Sequence, residues 1–176
     1  MNIAIFCSAS NVDEKYTAAA REFASSLARK GHTLVWGGSN KGTMKVIADA
    51  AQATGGKIIG VSMKMLETEA RKNADNMFVM PTLAQRKAKL LELSDAIVVL
   101  PGGLGTLDEI TEIMELKKHN VHTKDIVFLN TDGFYNGMKQ QLERMEREGF
   151  LPGALSNYLY FVATPQEAME CIEAHG

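Results

Sequence analysis

The stretch Ala96-Ile97-Val98-Val99-Leu100-Pro101-Gly102-Gly103-Leu104-Gly105-Thr106-Leu107-Asp108-Glu109 decides how this chain folds. Its first five residues are apolar and rich in β-branched side chains, the pattern of a strand buried on both faces of a sheet. Pro101 and the glycines then end the strand abruptly. Beyond them Leu107, Ile110, Ile113 and Met114 recur at helical spacing, so the turn opens a helix. Glycines let backbone N–H groups come close to a ligand, and a helix start adds free donors and the positive end of the macrodipole. Such a turn suits an anion, with the Thr106 hydroxyl as an extra donor. Glu109 follows three residues after Thr106, about one turn deeper on the same helix. The stretch reads as a phosphate cradle with an acid beside it. A plainer reading, in which the glycines only let strand and helix pack closely, stays open on these residues alone.

Working outward, the helix before this strand opens at Pro81 or Thr82 and carries Leu83, Leu90 and Leu91, with Gln85-Arg86-Lys87 on its first turns. An Arg-Lys pair on an amphipathic helix is ordinarily solvated. Here one helix and one strand separate Arg86 from Pro101, a path that can return the guanidinium to the same end of the sheet. Its fork suits a phosphate or a carboxylate. Upstream, Ile3–Cys7, Thr33–Trp36 and Lys57–Val61 read as strands, and Met77–Met80 as a further short one. The first is followed by Ser8-Ala9-Ser10-Asn11 and a helix ending at Gly31. The second is followed by Gly37-Gly38-Ser39-Asn40-Lys41-Gly42-Thr43 and a helix ending at Gly55-Gly56. Ser62 to Asp75 is polar and irregular. Downstream come a strand at Asp125–Leu129, a helix from Phe134 to Glu148, a strand at Tyr158–Val162 and a last helix. That helix opens on the capping box Thr164-Pro165-Gln166-Glu167.

Strands alternating with helices predict an α/β fold: a Rossmann-like, doubly wound parallel sheet with helices on both faces, one domain over residues 1–176. Ligands in such sheets sit outside the carboxyl ends of the strands, so the turns at Ser8, Gly37 and Gly102 should line one pocket. Gly37-Gly38 and its following glycine are a second candidate backbone nest for phosphate or ribose.

A chain of 176 residues with 45% hydrophobic residues can build its own core, and a net charge of -2 argues against polymeric nucleic acid or a membrane surface as partner. No run approaches the roughly 20 apolar residues of a spanning helix. No signal peptide is apparent, and Cys7 and Cys171 lie far apart, so a reducing, cytoplasmic location is expected. Named fingerprints fail. Asp108 stands where a dinucleotide-binding loop would carry its last glycine, and no Lys follows a glycine as in a P-loop. His119 and His122 have no third ligand at metal spacing and read as surface residues, so no metal is expected. The ten methionines read as core or interface packing.

The run Pro101-Gly102-Gly103-x-Gly105-Thr106-x-x-Glu109 resembles the signature of the "lonely guy" (LOG) family, the cytokinin riboside 5'-monophosphate phosphoribohydrolases. The likeness extends to Trp36-Gly37-Gly38, to Arg86-Lys87, and to Leu129-Asn130-x-x-Gly133-Phe134-Tyr135. The chain departs from the family pattern at Ser39, Thr43 and Lys45, and again at Ser62-Met63. The resemblance implies hydrolysis of the N-glycosidic bond of a purine nucleoside 5'-monophosphate, with Arg86 and Glu109 as the catalytic pair. It implies a binding set of Lys87, Gly102, Gly103, Gly105, Thr106, Asp108, Glu112, Gly37, Gly38 and Ser8. Glu67 and Glu69 fall where the family has a substrate-contacting Glu. It also implies no cofactor, a small-molecule nucleotide as partner and a homodimer. The competing reading of the same fold is a carrier or sensor that holds a nucleotide or other phosphorylated ligand without cleaving it. Proteins resembling this one have also been labelled lysine decarboxylases, but nothing marks Lys41, Lys87 or Lys124 as a Schiff-base lysine.

Overall fold

The structure is a computed structural model and describes residues 1–175. In chain order it contains β1 (Asn2–Phe6), α1 (Glu14–Arg29), β2 (Thr33–Trp36), α2 (Gly42–Ala53), β3 (Ile58–Met63), β4 (Asn76–Met80), α3 (Leu83–Leu93), β5 (Ala96–Val99), α4 (Leu104–Lys118), β6 (Ile126–Leu129), α5 (Asn136–Arg147), β7 (Tyr160–Val162) and α6 (Pro165–His175). Short 3-10 turns cover Lys64–Glu69, Thr131–Gly133 and Leu155–Asn157. The seven strands form one sheet in the order β4-β3-β2-β1-β5-β6-β7, every neighbouring pair parallel. The doubly wound expectation therefore holds. The strand order reverses between β1 and β5, and that switch point is where such sheets open a crevice.

The apolar runs have a direct structural cause. Ile3 and Ile5 of β1 face a layer built from α1, α2 and α6, where Phe23, Leu27, Ile47 and Ile172 are buried. Ala4 and Phe6, alternating with them, face Leu90 of α3 and Ile110 and Ile113 of α4. Both faces are covered, so no polar residue interrupts the strand. The edge strand β4 is only half-buried.

Helix ends follow local chemistry. The Asp13 side chain caps α1 by accepting from the Lys15 amide at 3.0 Å, and Gly31 leaves that helix at φ +77°. Thr82 caps α3, accepting from the Gln85 amide at 3.2 Å. The α6 capping box forms as read: the Glu167 carboxylate accepts from the Ala163 and Thr164 amides at 2.8 and 3.1 Å, while the Glu167 amide donates to Thr164 Oγ1 at 3.2 Å. In contrast α2, α4 and α5 have no side-chain cap. The first two of these start from the glycine-rich turns at the carboxyl edge of the sheet.

His122 departs from expectation. It is buried rather than on the surface: its Nε2 donates to the Ile113 carbonyl at 3.0 Å and its Nδ1 accepts from the Lys124 amide at 3.2 Å. The loop after α4, which carries His122, turns back so that the ring meets the Ile113 carbonyl of that helix. Some methionines do lie on helix surfaces: Met114 of α4 and Met138 and Met145 of α5 line an open apolar groove of about 420 Å³ between those helices. No helix among the described residues is long and apolar enough to cross a membrane.

Candidate active site

A cleft of about 360 Å³ lies at the carboxyl edge of the sheet, across the switch point. The three turns singled out in the sequence all reach it, through Ser8 and Ser10, Gly37 and Ser39, and Gly103, Gly105 and Thr106. The first two are joined: the Met44 amide, at the start of α2, donates to the Ser8 carbonyl at 3.2 Å. Tyr135, from the Leu-Asn-x-x-Gly-Phe-Tyr tail, donates its phenol to the Leu100 carbonyl at 2.8 Å and so fixes the strand end from which the Pro-Gly-Gly turn departs.

The glycines of that turn divide into two kinds. A Cβ on Gly102 would fall 2.2 Å from Thr106 Oγ1, so this glycine lets the threonine fold back against the turn. A Cβ on Gly103 or Gly105 would meet no protein atom within 4 Å. Packing therefore does not require glycine at those two positions. The helix start they form has no acidic residue in its first turn, leaving its amides and dipole open to an anion in the cleft.

Arg86 and Glu109 meet at the cleft. Arg86 is 7% exposed and Glu109 4%. The guanidinium is held at every nitrogen: Nη1 donates to Glu109 Oε1 at 2.5 Å, Nε to the Val61 carbonyl at 2.8 Å and Nη2 to the Gly37 carbonyl at 3.4 Å. One side chain from α3 thus joins the ends of β2 and β3 to α4. Gly37 makes this approach feasible, since a Cβ there would lie 2.2 Å from Arg86 Nη2. Burial raises the Glu109 pKa above the usual carboxylate range, with the Arg86 charge opposing that rise. The nearby Cys7 thiol is pushed up as well, chiefly by its own burial.

Other candidates lie elsewhere. Lys87, Asp108 and Glu112 do not line the cleft. Lys87 Nζ is 3.1 Å from Asp108 Oδ2 and also pairs with Glu112, joining α3 to α4 on their outer side. Gly38, at φ +75°, and Gly102 shape the turns without lining the cleft. Glu69 does line it, paired with Lys41 at 2.8 Å, whereas Glu67 does not. The cleft also takes in residues that sequence reasoning had assigned to the core or left unassigned: Cys7, Met44, Leu66, Leu83 and Leu104. Leu83 and Leu104, 43% and 86% exposed, carried a signal only as apolar residues at helix starts. No lysine lines the cleft among the described residues.

Known proteins resemble this chain in sequence and in fold. Residues 44–172 match a family model described as "Possible lysine decarboxylase". A Mycobacterium tuberculosis protein named cytokinin riboside 5'-monophosphate phosphoribohydrolase is 34% identical over 169 residues, covering 95% of this chain and 90% of its own. An Arabidopsis thaliana protein of the same name is 28% identical over 176 residues, covering 98% and 83%. Among solved structures, the molybdenum cofactor binding protein of Rippkaea orientalis superposes with a TM-score of 0.74 at 18% identity, covering 99% of this chain and 96% of that one; at such identity the likeness is one of fold. The chain belongs to the LOG family of phosphoribohydrolases, enzymes of the N-glycosidase class.

Proposed function

We propose that this protein hydrolyses the N-glycosidic bond of adenine nucleoside 5'-monophosphates, plain or N6-modified, releasing the free base and ribose 5-phosphate. The observation that carries the reading is the buried Arg86–Glu109 pair beside an uncapped, glycine-opened helix start in the same cleft. The 5'-phosphate accepts hydrogen bonds from the amides at Gly103 to Thr106, which sets the ribose above Glu109. As the bond from C1' to the base nitrogen breaks, positive charge grows on the sugar ring, as in glycoside hydrolysis. The Glu109 carboxylate stabilises that charge and takes a proton from the attacking water, whose oxygen bonds to C1' while the departing base gains a proton. Arg86 fixes the carboxylate in place and opposes the rise in its pKa, which keeps it available as a base. A homodimer in a reducing cytoplasm belongs to the same proposal.

The test is chromatography of reaction mixtures containing AMP or isopentenyl-AMP, run beside GMP and CMP. Release of adenine or its N6-modified form, with little from CMP, is the expected result. Tight AMP binding with no base released over long incubation would instead identify a carrier.

A further inference from the structure

We infer that Tyr135 is a positioning residue for the phosphate end of the substrate, with the segment from Leu129 to Tyr135 as its mount; the inference rests on the proposed nucleotide site. The Leu-Asn-x-x-Gly-Phe-Tyr run stands out in the sequence, yet none of its residues lines the cleft. It follows β6, on the side of β5 away from β1, and so meets the Pro-Gly-Gly turn from behind.

Each residue of the run that carries a signature serves the tyrosine. Asn130 Oδ1 accepts from the Tyr135 amide at 2.6 Å, while Asn130 Nδ2 donates to Asn136 Oδ1 at 2.8 Å. Gly133 turns the chain at φ +69°, where a Cβ would stand 2.6 Å from Asn136 Nδ2. Phe134 meets the Tyr135 ring edge-on, with centroids 4.9 Å apart, and meets Tyr16 of α1 at 5.6 Å. Phe128 of β6 closes on the tyrosine from another side at 5.0 Å and is itself stacked on Phe161. Tyr135 is buried, and its ring is held by aromatic neighbours that would hold a phenylalanine as well. What distinguishes tyrosine here is the hydroxyl.

That hydroxyl takes hold on both sides of Pro101. It donates to the Leu100 carbonyl at 2.8 Å. The Gly102 amide faces the same oxygen and offsets part of the rise that burial causes in the phenol's pKa. Pro101 has no N–H with which to fasten itself. Gly102 is in turn the residue against which Thr106 folds. Thr106 lines the cleft from the first turn of α4, and Glu109 lies one turn further along that helix. Contact therefore runs unbroken from the phenol through Gly102 to the amides that receive the phosphate. The helix sets phosphate and acid relative to each other; the phenol sets that turn relative to the sheet. A helix start holds an anion by aiming several amides at one point. Misplacement by about 1 Å costs such a site up to about 100-fold in rate.

The experiment measures calorimetric affinity for ribose 5-phosphate and the phosphorus NMR resonance of the bound ligand at saturation. It compares wild type, Tyr135→Phe, Gly105→Ala, and Ile172→Val, a buried substitution in the opposite layer that loosens the core without touching the turn. We expect Tyr135→Phe to weaken ribose 5-phosphate about tenfold and to move the bound resonance, because only the hydroxyl is lost. Ile172→Val should lower the melting temperature and leave both readouts where they are. Unchanged affinity in Tyr135→Phe, beside a loss in Gly105→Ala, would leave the cradle standing and overturn the role of Tyr135. A similar loss and a similar resonance shift in Ile172→Val would overturn it too, since general loosening would then suffice. A wild type that binds no phosphate monoester removes the cradle and Tyr135 together. The expected binding pattern with no adenine released from AMP defeats the hydrolase reading and upholds Tyr135.

Discussion

Arg86 Nη1 lies 2.5 Å from Glu109 Oε1, and the two side chains are only 9% and 6% exposed, so acid and counter-charge are both nearly withdrawn from water. Such a pair contributes little net stability, because desolvation offsets most of the attraction, but neither partner tolerates losing the other. A fold that keeps it has a use for it beyond stability.

Removing one partner at a time separates these effects. Arg86→Ala leaves a buried carboxylate uncompensated and should cost about 3 kcal/mol in urea unfolding, along with base release. Glu109→Gln retains shape and an acceptor oxygen for the guanidinium; it should abolish base release at a smaller cost in stability. Near-normal turnover in either variant refutes the catalytic assignment.

The pH profile carries the mark of burial. Because burial raises the Glu109 pKa, kcat/KM should fall with acid through an apparent pKa above the ordinary 4.5 of a glutamate. The stability consequence runs the other way. A carboxyl with a raised folded pKa holds its proton more tightly when folded, so its contribution is complete below 4.5 and is lost as pH rises through the folded value. Wild type should therefore lose stability relative to Glu109→Gln across that window, and a pH-independent difference between the two would contradict it.

Glycine at positions 103 and 105 keeps space open for a ligand rather than for packing. Gly105→Ala, within the first turn of α4, should leave the fold unharmed or stabilise it by up to about 1 kcal/mol, since alanine loses less backbone entropy in a helix. The added methyl should nevertheless weaken AMP binding. Gly102→Ala should instead destabilise, because its Cβ meets Thr106. Thermal melts beside AMP titrations distinguish the two kinds; a Gly105→Ala protein that binds AMP normally would show that the turn is not the cradle.

His122 supplies an acid-sensitive point away from the cleft. The neutral ring satisfies both nitrogens, and burial lowers its pKa below 6.5. A base whose folded pKa is depressed contributes its stability above 6.5 and loses it as pH falls toward the folded value, when Nδ1 must take a proton and release the Lys124 amide. Below pH 6.5 wild type should lose stability faster than His122→Gln in urea titrations at stepped pH. Parallel curves would rule this out.

The fold was legible because its main determinants are local. Fully apolar strands can only be central in a covered sheet, and glycine turns mark where they end. Of the two residues proposed for catalysis, Arg86 was legible twice over: in the family likeness, and in the short path of one helix and one strand that returns it to the Pro101 end of the sheet. Lys87, Asp108 and Glu112 fall outside the cleft because sequence adjacency is not spatial adjacency. Each helical step turns about 100°, which carries Lys87 and Asp108 away from the cleft and toward one another. His122 had no local signature: its burial follows from the turn after α4, which sets the ring against the Ile113 carbonyl.

Gly37 and Arg86 occupy one shared volume, since the guanidinium fills the space a methyl would need. The two positions are consequently not independent variables for an engineer. A larger residue at 37 demands a shorter cation at 86, and a shorter cation gives up the carbonyls of two strands at once. Any attempt to retune the acid by changing its counter-ion thus begins on the loop after β2, a part of the chain that never touches the acid itself.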